Sequence, residues 1–382
     1  MRGADHMRSL LHFVSPFIPL TFFKRSNLPM QRIRIHLAEI LALILAVCLS
    51  GTAVAQQNNG KAVVKVMTCN INEGTDFLEV LAAQNLPDFL QAVEITLQNI
   101  EATNPPLRMQ AVAREIAQNR PDLVGLQEVT TWSVGGEVKF DMLQELLAAL
   151  NSLGEAYLPV VVVKEFELEA PLPDLVTMVK GVDFDVVLAR AGDSGLQLSN
   201  LQQGHFSVLL PVPTAVGTLT IVRGWGSVDV SLHGQSFRFI VSHLENFTAA
   251  FPVTLLIQEA QAAELALGPG GTTLPVIVAA DTNADALGND PTIATYQLIR
   301  SFGFGDAWTA VHPGEPGATW GYMPDAADVL PHPAQRIDYV FFNNGIRALT
   351  SQLAGQRTQE KVNGLWPSDH AGVRATLQVG WD

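Results

Sequence analysis

The chain has 382 residues, 48% of them hydrophobic, and its 23 Lys and Arg against 37 Asp and Glu give a net charge of −14 at pH 7. A chain of this length and apolar content can bury a large core without disulfides, and no linker, repeat or low-complexity tract divides it. The charge argues against tight non-specific binding of nucleic acid, which needs a positively charged surface, but leaves open an enzyme that uses a metal ion to bind phosphate.

The first 55 residues predict an export signal. Arg32 and Arg34 precede a mostly apolar stretch over residues 37–49, and the small-x-small motif at residues 53–55 follows as a cleavage site. The apolar stretch is too short to cross a bilayer as a helix. We therefore expect residues 1–29 to be an upstream extension or a mis-called start, residues 30–55 to be a secretory signal peptide, and residues 56–382 to form one domain.

Cleavage near Ala55 would give a secreted or periplasmic protein without a transmembrane segment. A lipoprotein anchor at Cys48 is the weaker alternative, because the bulky Val47 precedes it. Only Cys69 remains after cleavage, so the mature chain has no internal disulfide.

The first half of the remaining chain alternates between strand and helix patterns. Alternating apolar residues predict a strand that ends at Asn70, and apolar residues at helical spacing over 76–106 predict two helices separated near Pro87. A third helix runs from residue 108 to Arg120, and a short buried strand ends at Glu128. Weaker strand patterns follow at residues 158–163, 185–190, 206–210 and 218–222.

The second half continues this alternation. A hairpin that turns at Gly234 is predicted over residues 227–243, a helix ends at Gly268, and an apolar strand ends at Asp281. The next helix is predicted to use Asp290 as its N-cap, with Pro291 in its first turn. Strands at residues 336–342 and 371–379 close the chain. Because helices interleave with strands while hairpins persist, we expect mixed sheets.

The stretch VIVAADTNAD, residues 276–285, joins a core strand to a polar segment. Asp281, Asn283 and Asp285 have the spacing of the first three ligands of an EF-hand calcium loop. However, Ala286 stands where that loop needs glycine, and Thr292 stands where it needs a bidentate glutamate. The calcium loop is therefore excluded, and an ordinary polar turn remains the alternative for this stretch taken alone.

The same kind of residue follows other apolar strands. These strand ends carry Asn70, Glu128, His243, Asp338 and the pair Asp369-His370. Carboxylates and imidazoles that meet at one sheet edge can bind a hard cation together with a phosphate. An aspartate that holds a histidine makes a general base of fixed tautomer.

In chain order, Asn70 and the motifs LQEV, SHLEN, AADTN, RIDYVF and SDH resemble the endonuclease/exonuclease/phosphatase superfamily. This superfamily includes deoxyribonuclease-type nucleases, neutral sphingomyelinases and inositol-polyphosphate phosphatases. The resemblance covers about residues 63–379. It implies an α/β four-layer sandwich, in which two packed mixed β-sheets are flanked by helices and the site lies at their shared edge.

The resemblance also implies roles for these residues. The metal would be Mg²⁺, with Mn²⁺ or Ca²⁺ as alternatives, and its ligands would be Glu128, Asn70 and Asp369. The substrate phosphate would be bound by Asn70, Asn283 and His243. The residues implied in catalysis are His243, Asp281, Asn283, Asp338 and His370, with Asp338 and His370 acting as a dyad.

Some residues lack a clear counterpart in the family pattern. Glu245 and Asp185 are the candidates for the acid that orients His243, and Asp285 is assigned to the turn. Trp320 either lines the cleft or packs in the core. The helical segment 76–106 either covers the rim of the site or packs on the sheet, and the second is favoured because apolar helical stripes normally face a core.

The leading hypothesis is an exported, divalent-metal-dependent phosphoesterase that hydrolyses a phosphodiester or phosphomonoester by in-line attack of water. Its substrate could be a lipid head group, a small molecule or a nucleic acid, and its oligomeric state stays open. One alternative is a nuclease acting on extracellular DNA or RNA, although the basic residues are few and unclustered. A catalytically inactive binding protein on the same fold is the other, but Glu128, Asp281 and His370 are all present.

Overall fold

The structure is a computed structural model that describes residues 60–192, 195–321 and 334–380. The expected signal peptide at residues 30–55, the preceding segment 1–29 and the cleavage site at Ala55 lie outside the described residues. Within the described ranges, no helix is both long and apolar enough to span a membrane.

Sixteen strands form two large sheets and one small hairpin in this part of the chain. They are β1 (Ala62–Asn70), β2 (Leu123–Gln127), β3 (Thr131–Val134), β4 (Glu137–Asp141), β5 (Tyr157–Pro171), β6 (Met178–Arg190), β7 (Gln197–His205), β8 (Leu210–Thr214), β9 (Gly217–Ile221), β10 (Gly224–Leu232), β11 (Gln235–His243), β12 (Val276–Asp281), β13 (Gly305–Asp306), β14 (Asp338–Phe342), β15 (Ile346–Ala354) and β16 (Gly372–Val379).

Seven α-helices connect or cover these strands in the described ranges. They are α1 (Leu78–Ala82), α2 (Leu86–Thr103), α3 (Pro105–Asn119), α4 (Met142–Ser152), α5 (Val253–Leu267), α6 (Ile293–Ser301) and α7 (Ala307–Val311). The first large sheet has the order β15-β16-β1-β2-β6-β3-β4, with β5 paired to β6. The second has the order β13-β14-β12-β11-β10-β7, and β8 pairs with β9 apart from both.

The two large sheets pack face to face through one apolar core, to which β1 contributes Val64 and β11 contributes Phe239. Helices α3 and α4 cover the outer face of the first sheet through residues such as Ile116 and Leu146. Helices α5 and α6 cover the outer face of the second sheet, where Leu265 is buried. The layers therefore run helix, sheet, sheet, helix, and the predicted four-layer α/β sandwich with mixed sheets is confirmed.

The sheets approach each other closely where the polar strand ends lie. A Cβ atom added to Gly125 of β2 would lie 2.8 Å from the Cβ of Ala279 in β12. Gln127 Nε2 also donates a hydrogen bond to Ala279 O across the two sheets, at 3.3 Å. A glycine at residue 125 thus allows β2 and β12 to bring the residues that follow them into one site.

The helical segment after β1 agrees with the sequence pattern. Helix α2 begins at Leu86, and its N-cap Asn85 accepts a hydrogen bond from Asp88 N, so the chain breaks just before Pro87. The segment packs through Phe89 against Trp132 of β3. The favoured prediction, a helical pair packed on the sheet, is confirmed.

Two predictions of local structure are wrong. Residues 206–209 connect β7 to β8 instead of forming a strand, because Ser207 hydrogen-bonds to Glu264 of α5 rather than to a neighbouring strand. Asp290 is not the N-cap of α6, which begins at Ile293. Its carboxylate instead accepts from Thr292 N at 2.8 Å and forms a turn before the helix.

Candidate active site

Three neighbouring strands of the second sheet bring His243, Asp281 and Asp338 side by side. Strands β11 and β12 are parallel, with His243 opposite Asp281. Strand β14 is antiparallel to β12, so its first residue, Asp338, lies opposite Asp281, the last residue of β12. The register of the sheet alone therefore assembles half of the site.

Strands β1 and β2 of the first sheet supply the other half. They are parallel, and Asn70 lies opposite Gln127, so Asn70 and Glu128 leave the sheet at the same edge. Asn70 Nδ2 donates to Glu128 Oε1 at 2.8 Å and to Asp281 Oδ2 at 3.0 Å. This side-chain amide joins the two sheets directly.

The orientation of the Asn70 amide follows from a backbone contact. Asn70 Oδ1 accepts a hydrogen bond from Asn72 N at 2.9 Å, which identifies the oxygen, because a backbone N–H can only donate. In this geometry the Asn70 oxygen is occupied and its NH₂ group holds two carboxylates. Asn70 therefore positions Glu128 and Asp281 here, whereas the sequence assigned it to the metal and the substrate.

Two site residues have a left-handed backbone, and at Glu128 this conformation is strained. Glu128 and Asn283 adopt the left-handed conformation, with φ values of 58° and 51°. Asparagine tolerates this region, but for glutamate it costs about 1 kcal/mol or more. The Glu128 carboxylate is held on both oxygens, since Oε2 accepts from Glu73 N at 3.0 Å while Oε1 accepts from Asn70. Strain held in place by hydrogen bonds is typical of functional positions.

Asp281 lies at the centre of the site and is only 1% exposed. Its Oδ1 accepts from Asn283 N at 2.9 Å, and its Oδ2 lies 3.6 Å from His243 Nε2 and 3.7 Å from His370 Nδ1. Burial, together with the nearby Asp338 carboxylate, raises the pKa of Asp281 to about 7. A carboxylate with a pKa near neutrality can accept a proton from water during a reaction.

His370 is held by Asp338. The ring Nδ1 lies 2.9 Å from Asp338 Oδ2, which leaves Nε2 as the nitrogen that can act on a substrate. Burial alone would lower the pKa of His370, but Asp338, Asp369 and Asp281 raise it well above its ordinary value. This imidazole is therefore stabilised as a cation.

His243 has the opposite kind of partner. Arg223 Nη1 lies 2.9 Å from His243 Nδ1, and Asn283 Nδ2 lies 3.0 Å from His243 Nε2. Burial, then Arg223 and His370, lowers the pKa of His243 well below its ordinary value. This second imidazole is held neutral.

The prediction that Glu245 or Asp185 orients His243 is wrong. Neither Glu245 nor Asp185 hydrogen-bonds to His243 in the described structure. Glu245 accepts from Asn246 N instead, and both Asp185 carboxylate oxygens are buried without a hydrogen-bond partner. Arg223 occupies the position at which an acid was expected, and no motif around residue 223 indicated it.

The remaining predicted residues lie as follows. Asp369 accepts from Ser368 Oγ at 3.2 Å. Its pKa is raised, mainly by burial; His370 opposes this rise and Glu128 adds to it. Asp285 accepts from Leu287 N and Arg336 N at 2.9 and 3.0 Å. The prediction that Asp285 organises the turn is confirmed.

Trp320 lies beside His370, outside the named strands. The two residues form an isolated backbone bridge, and 37% of Trp320 is exposed. The alternative that Trp320 packs in the core is therefore wrong.

The donor set fits a hard divalent cation. Asp281, Asp338 and His370 offer ligand atoms that all lie within 4.8 Å of one another. Asp338 Oδ1 is buried and accepts no hydrogen bond from the described residues, so a cation would satisfy it. The sequence assigned these three residues to catalysis and placed the metal at Glu128, Asn70 and Asp369. Among the described residues, Asp281, Asp338 and His370 therefore form a group that could hold an ion.

Arg108 is a buried residue next to the site that the sequence analysis did not single out. It is 1% exposed on α3, and it donates to Ile71 O at 2.7 Å, to Asn72 O at 2.9 Å and to Pro367 O at 3.3 Å. It therefore ties the loop after β1 to the loop that carries Asp369 and His370. An arginine four residues before the apolar Val112, on the buried face of a helix, was the available signal.

Comparisons with known proteins identify relatives of this chain. Residues 67–370 match the sequence profile of the Endonuclease/Exonuclease/phosphatase family. A search of the curated proteins returned no significant match.

Several solved structures share the fold. An endonuclease/exonuclease/phosphatase family protein from Bacteroides thetaiotaomicron is 15% identical, with a TM-score of 0.52, and the alignment covers 85% of this chain and 99% of that one. A protein of this description from Beutenbergia cavernae is 22% identical, with a TM-score of 0.52, over 83% of this chain and 72% of that one. TDP2 from D. rerio, in complex with a single-strand DNA product, is 17% identical, with a TM-score of 0.52, over 83% and 99%.

Proposed function

The chain belongs to the endonuclease/exonuclease/phosphatase family and is a hydrolase acting on phosphate ester bonds, and from this premise we propose that it is an exported, Mg²⁺-dependent phosphodiesterase. The observation that carries the proposal is the network around Asp281. This carboxylate contacts Asn70 of the first sheet and lies within 4 Å of His243 and His370. Carboxylates, an amide and two imidazoles in one buried network suit hydrolysis of a phosphate ester.

Glu128 and Asp369 would bind the ion, with Asn70 fixing the Glu128 carboxylate. The alternative position is the group of Asp281, Asp338 and His370, but an ion bound at Nδ1 there would replace the 2.9 Å contact between His370 and Asp338. When bound, Mg²⁺ supplies positive charge that offsets the charge on the phosphoryl oxygens. Mn²⁺ or Ca²⁺ would serve as substitutes.

The protein groups would divide the reaction between them. Asp281 accepts a proton from the attacking water, whose oxygen forms the new bond to phosphorus in line with the leaving oxygen. The ester P–O bond breaks, and the leaving oxygen takes a proton from His370 Nε2. Asn283 and His243 bind the non-bridging oxygens, and Asp338 holds the His370 ring in place.

We favour a diester of a lipid head group or a small molecule over nucleic acid, because the chain is acidic and its basic residues are few. A nuclease acting on extracellular DNA or RNA is the second candidate. It is supported by the exposed Trp320 beside His370, which offers a ring on which a base could stack. A catalytically inactive binding protein is the least favoured candidate, since the network retains every predicted residue.

The test begins with the purified protein from residue 56 onward. It is assayed with Mg²⁺, Mn²⁺, Ca²⁺ or EDTA against a chromogenic phosphodiester, plasmid DNA, RNA, sphingomyelin and inositol phosphates. We expect turnover of at least one diester that EDTA abolishes and added metal restores. Absence of turnover for every substrate under every metal would contradict the proposal.

The position of the ion is tested by calorimetric titration with Mn²⁺. We expect Glu128→Gln to weaken binding at least ~10-fold, while the exposed control Glu137→Gln binds as the parent does. If Asp338→Asn abolishes binding and Glu128→Gln leaves it unchanged, the ion occupies the alternative group.

Export is tested separately on the full chain. Expressed in a bacterial host, the protein should accumulate in the periplasm or medium, with Gln56 as the N-terminal residue by Edman sequencing. A full-length protein that stays in the cytoplasm would contradict export without affecting the chemistry.

A further inference from the structure

Arg223 lies in the short connection between β9 and β10, and the register of the following hairpin fixes its place. Trp225 of β10 pairs with Ser242 of β11, and Ser242 Oγ donates to Gly224 O at 2.7 Å. Continued by one residue, this register places Gly224 opposite His243, so the residue before Gly224 lies one position from the residue after Ser242. These two residues are Arg223 and His243.

The contact between them determines where the imidazole proton lies. Arg223 Nη1 is 2.9 Å from His243 Nδ1. A guanidinium carries only donors, so Nδ1 must accept the hydrogen bond and cannot carry a proton. A neutral imidazole whose Nδ1 accepts carries its proton on Nε2.

Asn283 competes for the same ring. Its Nδ2 lies 3.0 Å from His243 Nε2 and also donates to Leu244 O at 3.0 Å, which fixes the orientation of the amide. A neutral imidazole has one accepting nitrogen, so it cannot accept from both Arg223 and Asn283. Hydrogen bonds from a charged donor are roughly twice as strong as neutral ones, and Arg223 therefore prevails.

The charge on Arg223 is secured by buried carboxylates. Burial alone would lower the pKa of Arg223, but the charges of Glu245, Asp183 and Glu165 raise it above its ordinary value and stabilise the cation. All three acids are buried, and both carboxylate oxygens of Glu165 lack a hydrogen-bond partner in the described part of the chain. The arginine therefore remains a donor at every pH at which the protein is folded.

From this geometry we infer that Arg223 is a positioning residue that fixes His243 in the tautomer with the proton on Nε2, so that the ring donates a hydrogen bond to a non-bridging phosphoryl oxygen. This rests on the proposed function. A carboxylate beside Nδ1 would accept a hydrogen bond from Nδ1–H, so Nε2 of a neutral ring would carry no proton. The arginine reverses this arrangement and makes His243 a neutral donor backed by a fixed positive charge.

The tautomer is measured on the metal-free protein from residue 56 onward, labelled with ¹⁵N-histidine, by long-range ¹H–¹⁵N correlation spectra. The His243 signals are assigned by their loss in His243→Gln. We expect the Nε2–H tautomer in the parent. In Arg223→Met, Asn283 becomes the sole donor to the ring, so we expect a change to the Nδ1–H tautomer. Arg223→Lys should keep the parental tautomer, and it serves if the methionine variant does not fold.

A matched control is Arg238→Met, since Arg238 of β11 is another largely buried arginine of this hairpin region but pairs with Asp229 away from the site. It should keep the parental tautomer and rate. With the diester that the parent turns over, Arg223→Met should lower kcat about 100-fold with little change in KM, as for loss of one oriented donor.

An Nδ1–H tautomer in the parent, or the same tautomer in the parent and Arg223→Met, would overturn the inference. The spectra need no substrate. If the parent turns over no phosphate ester, the proposed function fails while the tautomer still decides the role of Arg223 on the ring.

Discussion

Two buried histidines lie on either side of Asp281, and their surroundings drive them in opposite directions. His370 is surrounded by Asp338, Asp369 and Asp281, which raise its pKa well above the ordinary value even though burial opposes this. Three causes lower the pKa of His243: its burial first, then the positive charge of Arg223 and that of His370. One site therefore contains a cationic imidazole and a neutral one.

The difference teaches that residue type alone does not give a role. His243 ends β11 and His370 lies just before β16, yet both lie within 4 Å of the same Asp281 oxygen. Only the partner on Nδ1, a carboxylate for His370 and a guanidinium for His243, separates a proton donor from a neutral hydrogen-bond donor.

The largest expected effect comes from replacing Asp281, the carboxylate that lies between the two histidines and contacts Asn70 of the first sheet. Asp281→Asn should lower kcat about 10³-fold or more, because it removes the proton acceptor and places an amide group against the donating NH₂ of Asn70. Steady-state kinetics on the diester would measure it. The control is Asp174→Asn in the exposed turn after β5, which should retain parental activity. Parental kcat in Asp281→Asn would contradict the assignment of Asp281 as the proton acceptor between the two histidines.

A smaller effect should distinguish the two histidines, because the loss of Tm on replacing each should change with pH in opposite directions. In EDTA, the raised pKa of His370 gives stability that is fully present below about pH 6.5 and is lost as pH rises through its folded pKa. His370→Gln should therefore lower Tm more at pH 6 than at pH 9.

His243 should behave in the opposite way. Its lowered pKa means that folded-state stability is lost as pH falls below about 6.5 towards the folded pKa. His243→Gln should therefore lower Tm less at pH 5 than at pH 8. Differential scanning fluorimetry measures both, with the exposed His205→Gln as the control for substitution itself. Equal pH dependence in the two site variants would show that the partners do not differ in effect.

The smallest expected effect on Tm concerns a carboxyl whose pKa is shifted mainly by burial and not by a charged partner. Glu145 of α4 lies outside the site, and burial is the first cause that raises its pKa to about 7. Its folded pKa lies above the unfolded value near 4.3, so the stability present below about pH 4.3 is lost as pH rises through 7. Glu145→Gln, which cannot ionise, should raise Tm by about 1 to 3 °C at pH 8 and leave it near the parental value at pH 4.5. A lower Tm at pH 8 would contradict this.

Much of the fold was predictable because its strands and helices show local patterns of apolar and polar residues in the sequence. Strand β12 is buried at all six positions and reads as a continuous apolar run, which is typical of a central strand. Polar residues end β1, β11 and β12 and immediately follow β2. They meet because the pairings β1–β2, β11–β12 and β12–β14 place these strand ends at one edge. The two-sheet sandwich and the meeting of these polar residues at one edge therefore followed from the sequence.

The rest depends on long-range contacts that leave no local pattern. Arg223 reaches His243 only through the register of the β10–β11 hairpin, so the sequence pointed to an acid instead. The apolar residues at 206–210 resembled a strand, but a hydrogen bond from Ser207 to a helix 57 residues away decided otherwise. Helix α4 and strand β15 were not predicted at all, since neither carries a motif of the site.

The central claim, that the network around Asp281 hydrolyses a phosphate ester with His370 as its proton donor, is tested most directly by one rate measurement. Turnover of a chromogenic phosphodiester is compared for the parent, His370→Ala and the remote His312→Ala at saturating metal. We predict a loss of kcat of about 10²–10⁴-fold in His370→Ala and parental turnover in His312→Ala. Parental turnover in His370→Ala would contradict the account.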